Sequence, residues 1–228
     1  METIKISEVT KNFQEGEHVV HAVNGVDITI ENGEFAALAG PSGSGKTTLL
    51  NLIGGLDRPT SGEISIDGTQ LSKRKDNELT EIRLRKIGFV FQAYNLIPVL
   101  TAYENVQFVL QVQGVPEREH HDRIMPILED LGIKGLENRF PTQLSGGQQQ
   151  RVAVARAVVG NPTIVLADEP TANLDSETSK SLLDLMRRLN TEKGVTFLFS
   201  THDPMVIERA RRVIRLRDGK VQADERKN

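Results

Sequence analysis

Cysteine is absent from the 228 residues. Disulfides, thiolate catalysis and cysteine-ligated zinc or iron–sulfur centres are therefore excluded, and a cytosolic setting is consistent with the lack. No apolar run reaches the ~18 residues that a membrane-crossing helix needs. Met1 to Lys5 does not open a basic segment followed by an apolar one, so the chain is expected not to cross a membrane itself. An excess of either charge is lacking too: 28 Lys and Arg against 31 Asp and Glu give a net charge of -3. That balance argues against a nucleic-acid-binding surface. Arg209, Arg211, Arg212, Arg215 and Arg217 make the one basic cluster and read as a solvated face. What the chain does have is length. A single α/β unit of this size buries about 70% of its unfolded surface, enough for a core without covalent staples.

Gly40, Pro41, Ser42, Gly43, Ser44, Gly45, Lys46, Thr47 and Thr48 match the phosphate-loop pattern G-x-x-x-x-G-K-[ST] at every fixed position. The apolar run Phe35 to Ala39 before it predicts a strand. Leu49, Leu50, Leu52, Ile53 and Leu56 after it predict one side of a helix. Glycines at 40, 43 and 45 let backbone amides approach phosphate oxygens, and the positive end of the following helix faces the same anion. Lys46 adds a point charge for the β- and γ-phosphates, the Thr47 hydroxyl is placed to ligate magnesium, and Thr48 can donate one more hydrogen bond. A nucleoside triphosphate site is the reading.

The first thirty residues alternate around Ile4 and Ile6, then around Val23, Val26, Ile28 and Ile30, and predict antiparallel strands ending at an Asn32-Gly33 turn. Lys11 to Gly16 reads as a polar loop between them. Its Phe13 can stack a base or close a small core, and the residues favour the core. Gly62 to Gly68 predicts a strand, Asp76 to Lys86 a helix, and Ile87 to Phe91 a buried strand ending at Gln92. Gln92 is either a site residue on the ligand edge of a parallel sheet or an ordinary strand terminator.

From Ala93 to Gly160 helices replace strands. Thr101 and Glu104 form a capping box for a helix to about Gln113. A second helix spans Glu117 to Leu131, with a kink or break expected at Pro126 and a solvated pair at His120 and His121. Ser145 caps a helix whose Gly146 and Gly147 bare amides: an anion site by construction, although taken alone these residues favour a plain cap without a ligand. Thr163 to Ala167 is an apolar strand ending in Asp168-Glu169. Burying two carboxylates costs several kcal/mol each unless partnered, so magnesium on Asp168 and a water activated by Glu169 give the pair a role. Asp175-Ser176 caps a helix with Leu182, Leu183, Leu185, Met186 and Leu189 as its core stripe. Val195 to Ser200 is a further strand, with His202 beyond its end as a phosphate contact. Val213 to Leu216 is the last strand, and Gln222 to Asn228 reads as a loose tail.

Phosphate loop, Gln92, Leu144-Ser145-Gly146-Gly147-Gln148, Ile164 to Glu169 and His202 stand in an order that resembles the ATP-binding cassette (ABC) family over essentially the whole chain. Gly54 to Gly62, and Ala167 to Thr171 with Asn173 to Asp175, are similar to its lipoprotein-releasing and macrolide-exporter branch. The resemblance implies one domain over 1–228: a RecA-like core with an antiparallel β part (1–92 and 162–228) and an inserted helical subdomain (93–161). It implies ATP and magnesium, hydrolysis to ADP and phosphate, and a head-to-tail homodimer in which Ser145, Gly146, Gly147 and Gln148 meet the nucleotide of the second subunit. Glu169 would be the base, Gln92 a sensor of magnesium and attacking water, and Asp175 a cross-dimer contact. Phe13 would fall where the family stacks adenine, commonly on tyrosine. The helical subdomain would dock on a separate permease chain at the inner face of the membrane. Ala172 stands where related sequences often carry glycine. A cell-division-type relative that signals without transport, and a soluble ABC protein acting on DNA or ribosomes, are the competing readings; the second lacks the coiled coils, zinc ligands or tandem cassette it would carry.

Overall fold

The computed structural model describes residues 2–16 and 18–227. Three five-residue runs with few polar side chains, Phe35–Ala39 (β3), Ile164–Asp168 (β7) and Phe197–Thr201 (β8), form strands covered on both faces. Continuous apolar sequence is what such double burial requires. Ile87–Val90 (β6) and Arg212–Arg217 (β9) join them in parallel, and Lys220–Arg226 (β10) closes the edge antiparallel, in the order β10-β9-β3-β8-β7-β6.

Alternate side chains of this sheet enter two cores. Phe35, Ala37, Val165, Ala167, Phe197 and Phe199 pack on helices Ala102–Val112 (α3), His120–Asp130 (α4), Gly146–Val158 (α5) and Ser176–Lys193 (α6). Ala36, Leu38, Ile164, Leu166 and Leu198 pack on Lys46–Ile53 (α1) and on a second sheet. That sheet is antiparallel, Glu2–Glu15 (β1), His18–Glu31 (β2), Ser61–Ile66 (β4) and Thr69–Gln70 (β5), ordered β2-β1-β4-β5. Asp76–Lys86 (α2) and Pro204–Arg209 (α7) complete the described elements. Between β6 and β7 the described residues contain no strand, as expected, and Thr101 with Glu104 makes the expected capping box.

Several expectations need correction. Lys11 to Gly16 is not a loop: β1 continues to Glu15, with Phe13 opposite Val20, and register shifts at Ile6/Val9 and Val9/Lys11 hide the alternation. Leu56 is not on the helix, which ends at Ile53; it lies 48% exposed. Helix α4 runs through Pro126 without a break, since the carbonyl deprived of its donor belongs to the exposed residue Asp122. His120 is buried, not solvated: Nε2 donates to the Val115 carbonyl at 2.8 Å and Nδ1 accepts from Gln107 at 3.1 Å. His121 is exposed. The tail is not loose up to Arg226, because β10 pairs with β9; Asn228 lies outside the described residues.

Arg212 likewise leaves the solvated face assigned to it. It is 6% exposed, and its guanidinium donates to Asp224 at 2.8 and 2.7 Å and to Glu34 at 2.9 Å. These bonds hold the Asp224 carboxyl below its ordinary range, so the stabilisation exists above that range and disappears as pH falls through the lowered value. Arg212→Met should therefore lower the thermal midpoint at pH 7 and flatten the acid limb below about pH 4; parallel midpoint-versus-pH curves for the two proteins would contradict this.

Candidate nucleotide site

The loops that leave the carboxyl ends of the parallel strands share one edge of the sheet: Gly40 to Gly45 after β3, Gln92 after β6, Glu169 after β7 and His202 after β8. Such an edge is where open α/β sheets take ligands. A cleft of about 760 Å³ lies there, lined by Ser42, Gly43, Gly45, Lys46, Thr47, Thr48, Gln92, Glu169 and His202. Most of the phosphate-loop, Gln92, Glu169 and His202 expectations thus meet in one place.

The loop's shape explains its residue types. Gly45 has φ +97°, and a Cβ there would stand 2.2 Å from the Ala22 carbonyl oxygen. A Cβ on Gly40 would stand 2.2 Å from the Leu216 carbonyl oxygen, so Gly40 underlies the cradle. Ser44 is buried; its amide donates to Pro41 at 3.2 Å and its carbonyl accepts from Gly219 at 3.1 Å. The Lys46 ammonium, largely buried, donates to the Gly40 and Pro41 carbonyls at 2.8 and 2.9 Å. A cation held among loop carbonyls over exposed amides is suited to phosphate.

Thr47 Oγ1 donates to Asp168 Oδ1 at 3.1 Å. A hydroxyl and a carboxylate in contact are hard oxygen donors, and no group of three or more His, Asp or Glu stands ready for a metal among the described residues. That sparse set fits magnesium, which keeps waters and phosphate oxygens as most of its ligands.

Glu169 adopts φ +44°, rare for a residue with a Cβ, and its amide donates to the Ser200 carbonyl at 2.9 Å. The side chain is fixed at both oxygens. His202 Nδ1 donates to Oε1 at 2.7 Å and Thr201 Oγ1 donates to Oε2 at 3.2 Å. The carboxylate is 16% exposed and the imidazole 68% exposed, a held group beside an open one.

Other expected residues stand apart. Ser145, Gly146, Gly147, Gln148 and Asp175 do not line the cleft. Ser145 caps α5, accepting from the Gln148 amide, while Gln148 Oε1 accepts from the Ser145 amide at 2.9 Å. The two glycines have a packing reason: a Cβ on Gly147 would lie 2.3 Å from Thr178 Cγ2 and one on Gly146 2.8 Å from the Tyr94 hydroxyl. Asp175 caps α6, and bonds from the Thr178 amide and hydroxyl hold its carboxyl below the ordinary range. Phe13 is not core: it is 39% exposed under the Lys11 ammonium, and its cross-strand partner Val20 lines the cleft. Val20, His21, Ala22, Asn24, Asp218 and Gly219 also line the cleft and were missed, because only long-range pairing brings β2 and the β9–β10 turn to the loop. Thr201 was missed as well, and no local pattern marks it.

Residues 23–172 match the family model described as ABC transporter. The chain is 48% identical over 227 residues to an uncharacterized ABC transporter ATP-binding protein, MJ0796, of Methanocaldococcus jannaschii, covering 98% of this chain and 97% of that one. It is 45% identical to the lipoprotein-releasing system ATP-binding protein LolD 1 of Rhodopseudomonas palustris, covering 96% and 98%. It is also 45% identical to the macrolide export ATP-binding/permease protein MacB of Syntrophobacter fumaroxidans, covering 98% of this chain but 32% of that protein. The dimeric post-hydrolysis structure of MJ0796 bound to ADP and Pi superposes with a TM-score of 0.90 at 45% identity, covering 99% of both chains. With the phosphate-loop cleft built at the strand edge, these likenesses place the chain in the ABC transporter family, as an ATP-binding cassette ATPase of the branch that includes the LolD and MacB ATP-binding components.

Proposed function

We propose that the chain is the magnesium-dependent ATPase subunit that powers export or lipoprotein extraction by a membrane ABC transporter. Two copies close head to tail around two ATP molecules, at the inner face of the membrane, on permease subunits in separate chains. The observation that carries the reading is the separation of two half-sites: the cleft holds the phosphate loop, Gln92, Glu169 and His202, while Ser145 to Gln148 present the N-terminus of a 13-residue helix outside it. An exposed helix start with its own glycines suits an anion held by another subunit. The dimeric relative of 45% identity supports the same arrangement. The LolD relative is named as the ATP-binding protein of a lipoprotein-releasing system, which supports a permease supplied separately. Residues 93–161 are read as the helical insertion that docks on it, within one cassette spanning 1–228.

In the cleft, the glycine amides of the loop and Lys46 hold the β- and γ-phosphates, Thr48 adds a hydrogen bond, and Phe13 offers its exposed face to adenine. Thr47, Asp168 and Gln92 would hold magnesium, which neutralises phosphate charge when bound. Glu169, fixed by Thr201 and His202, takes a proton from the water that attacks the γ-phosphorus. With Nδ1 engaged by Glu169, His202 keeps Nε2 for the γ-phosphate. Ser145 and Gly147 meet the γ-phosphate from the other subunit, and Asp175 contacts that subunit at the dimer seam.

Glu169→Gln should bind ATP normally and lose ~10²- to 10⁴-fold in turnover; near-normal hydrolysis would remove Glu169 as the base. Gly45→Ala should weaken ATP binding at least ~10-fold, because its Cβ cannot be accommodated beside the Ala22 backbone without moving the loop; unchanged affinity in a fluorescent-nucleotide titration would contradict the cradle. A pull-down of Glu169→Gln with ATP from native membranes should recover a permease. Recovery of a division-type partner, or of ribosomal or DNA proteins alone, would replace transport with signalling or with a soluble role.

A further inference from the structure

Gln150 lies one turn into α5, just past the Ser145–Gln148 segment, with no exposed surface. Its Nε2 donates to the Pro170 carbonyl at 2.7 Å and to the Phe91 carbonyl at 3.3 Å. Phe91 immediately precedes Gln92, and Pro170 immediately follows Glu169. These carbonyls leave neighbouring parallel strands just where the ladder stops, the last β6–β7 pair being Val90 with Ala167. One amide group therefore takes over where the sheet no longer holds the two loops in register. The other Gln150 atom, Oε1, is buried without a partner among the described residues. Glutamine is consequently a costly way to fill this space, and the donated bonds are what it contributes.

Two further donors hold the same loop. Asn173 Nδ2, on the turn after Pro170, donates to the Gln92 carbonyl at 2.9 Å, and its side chain is exposed. Arg156, also on α5, donates to the Tyr94 carbonyl at 2.9 Å and to the Asn95 carbonyl. Tyr94 and Asn95 both have positive φ, 57° and 50°, so the loop follows a path that its own backbone does not favour. Helix α5 thus grips the Gln92 loop at both ends, and through Gln150 it grips the Glu169 turn as well.

We infer that Gln150 is a positioning residue that couples the two nucleotide sites. The start of α5 serves the nucleotide of the second subunit, while Gln150 ties the same helix to the hydrolytic groups of this chain's own cleft. Engagement of one nucleotide then sets Gln92 and Glu169 for the other. The inference rests on the dimeric ATPase reading above.

The test compares steady-state ATP hydrolysis by the full chain with the equilibrium affinity of each variant for a fluorescent ATP analogue. Gln150→Leu is close in size and removes both bonds. It should lower kcat ~10- to 100-fold, turn a sigmoidal ATP dependence hyperbolic, and leave nucleotide affinity within about twofold. Asn173→Ala, at an exposed position that does not threaten folding, should lower kcat about 2- to 10-fold with the same loss of sigmoidality. Gln150→Glu can donate only when protonated, and burial raises that carboxyl's pKa, so its turnover should fall with rising pH along a limb absent from the wild type. Wild-type kcat and sigmoidality in Gln150→Leu, or in Asn173→Ala if the former does not fold, would overturn the inference. So would a fall in kcat matched by lost affinity, or parallel pH profiles for wild type and Gln150→Glu. A wild-type chain that hydrolyses no ATP would instead sink the functional reading, and this inference with it.

Discussion

The molecule depends on the burial of the parallel strands β3, β7 and β8 on both faces. Because Phe35, Phe197 and Phe199 enter one core while Leu38, Leu166 and Leu198 enter the other, a one-residue slip in any strand would exchange the two sets. Register is therefore fixed by packing, and packing in turn fixes where each strand stops. The Thr47 to Asp168 bond at 3.1 Å links the helix after β3 to the end of β7, two strands away, and exists only if β8 between them keeps its place. The site is the edge of the core.

Charge is arranged around that edge with little margin. Lys46 sits among loop carbonyls, Asp168 accepts from the Thr47 hydroxyl, and Glu169 is held by the Thr201 hydroxyl and the His202 imidazole. The left-handed backbone at Glu169 is a local strain retained at the position where a carboxylate must turn from the sheet toward the cleft. Ser200 accepts its amide bond and Thr201 and His202 hold its oxygens, so β8 carries both the support and the neighbour of that group.

Much of this was legible in the sequence because the signals were local. The phosphate loop, the Thr101 and Ser145 caps, and the apolar runs of β3, β7 and β8 each follow from residues within a few positions of one another. Phe13 was harder, since bulges in β1 concealed a strand and the favoured core role gave way to an exposed ring. Arg212 looked solvated because Asp224 and Glu34 reach it through strand pairing, and His120 because it is held between the Val115 carbonyl at the preceding turn and Gln107 on another helix. His21 and Gly219 reach the cleft through β2 and the last hairpin, which no window of sequence joins. Gln150 was hidden in the same way: its chemistry lies in two carbonyls, 59 and 20 residues distant.

In the proposed dimer each cleft is completed by Ser145 to Gln148 of a second copy. Sedimentation of Glu169→Gln with ATP and magnesium tests it most directly, run beside the same protein carrying Ser145→Arg as well. An ATP-dependent dimer is expected for the first and a monomer that still binds ATP for the second. A dimer that persists with Ser145→Arg would contradict it.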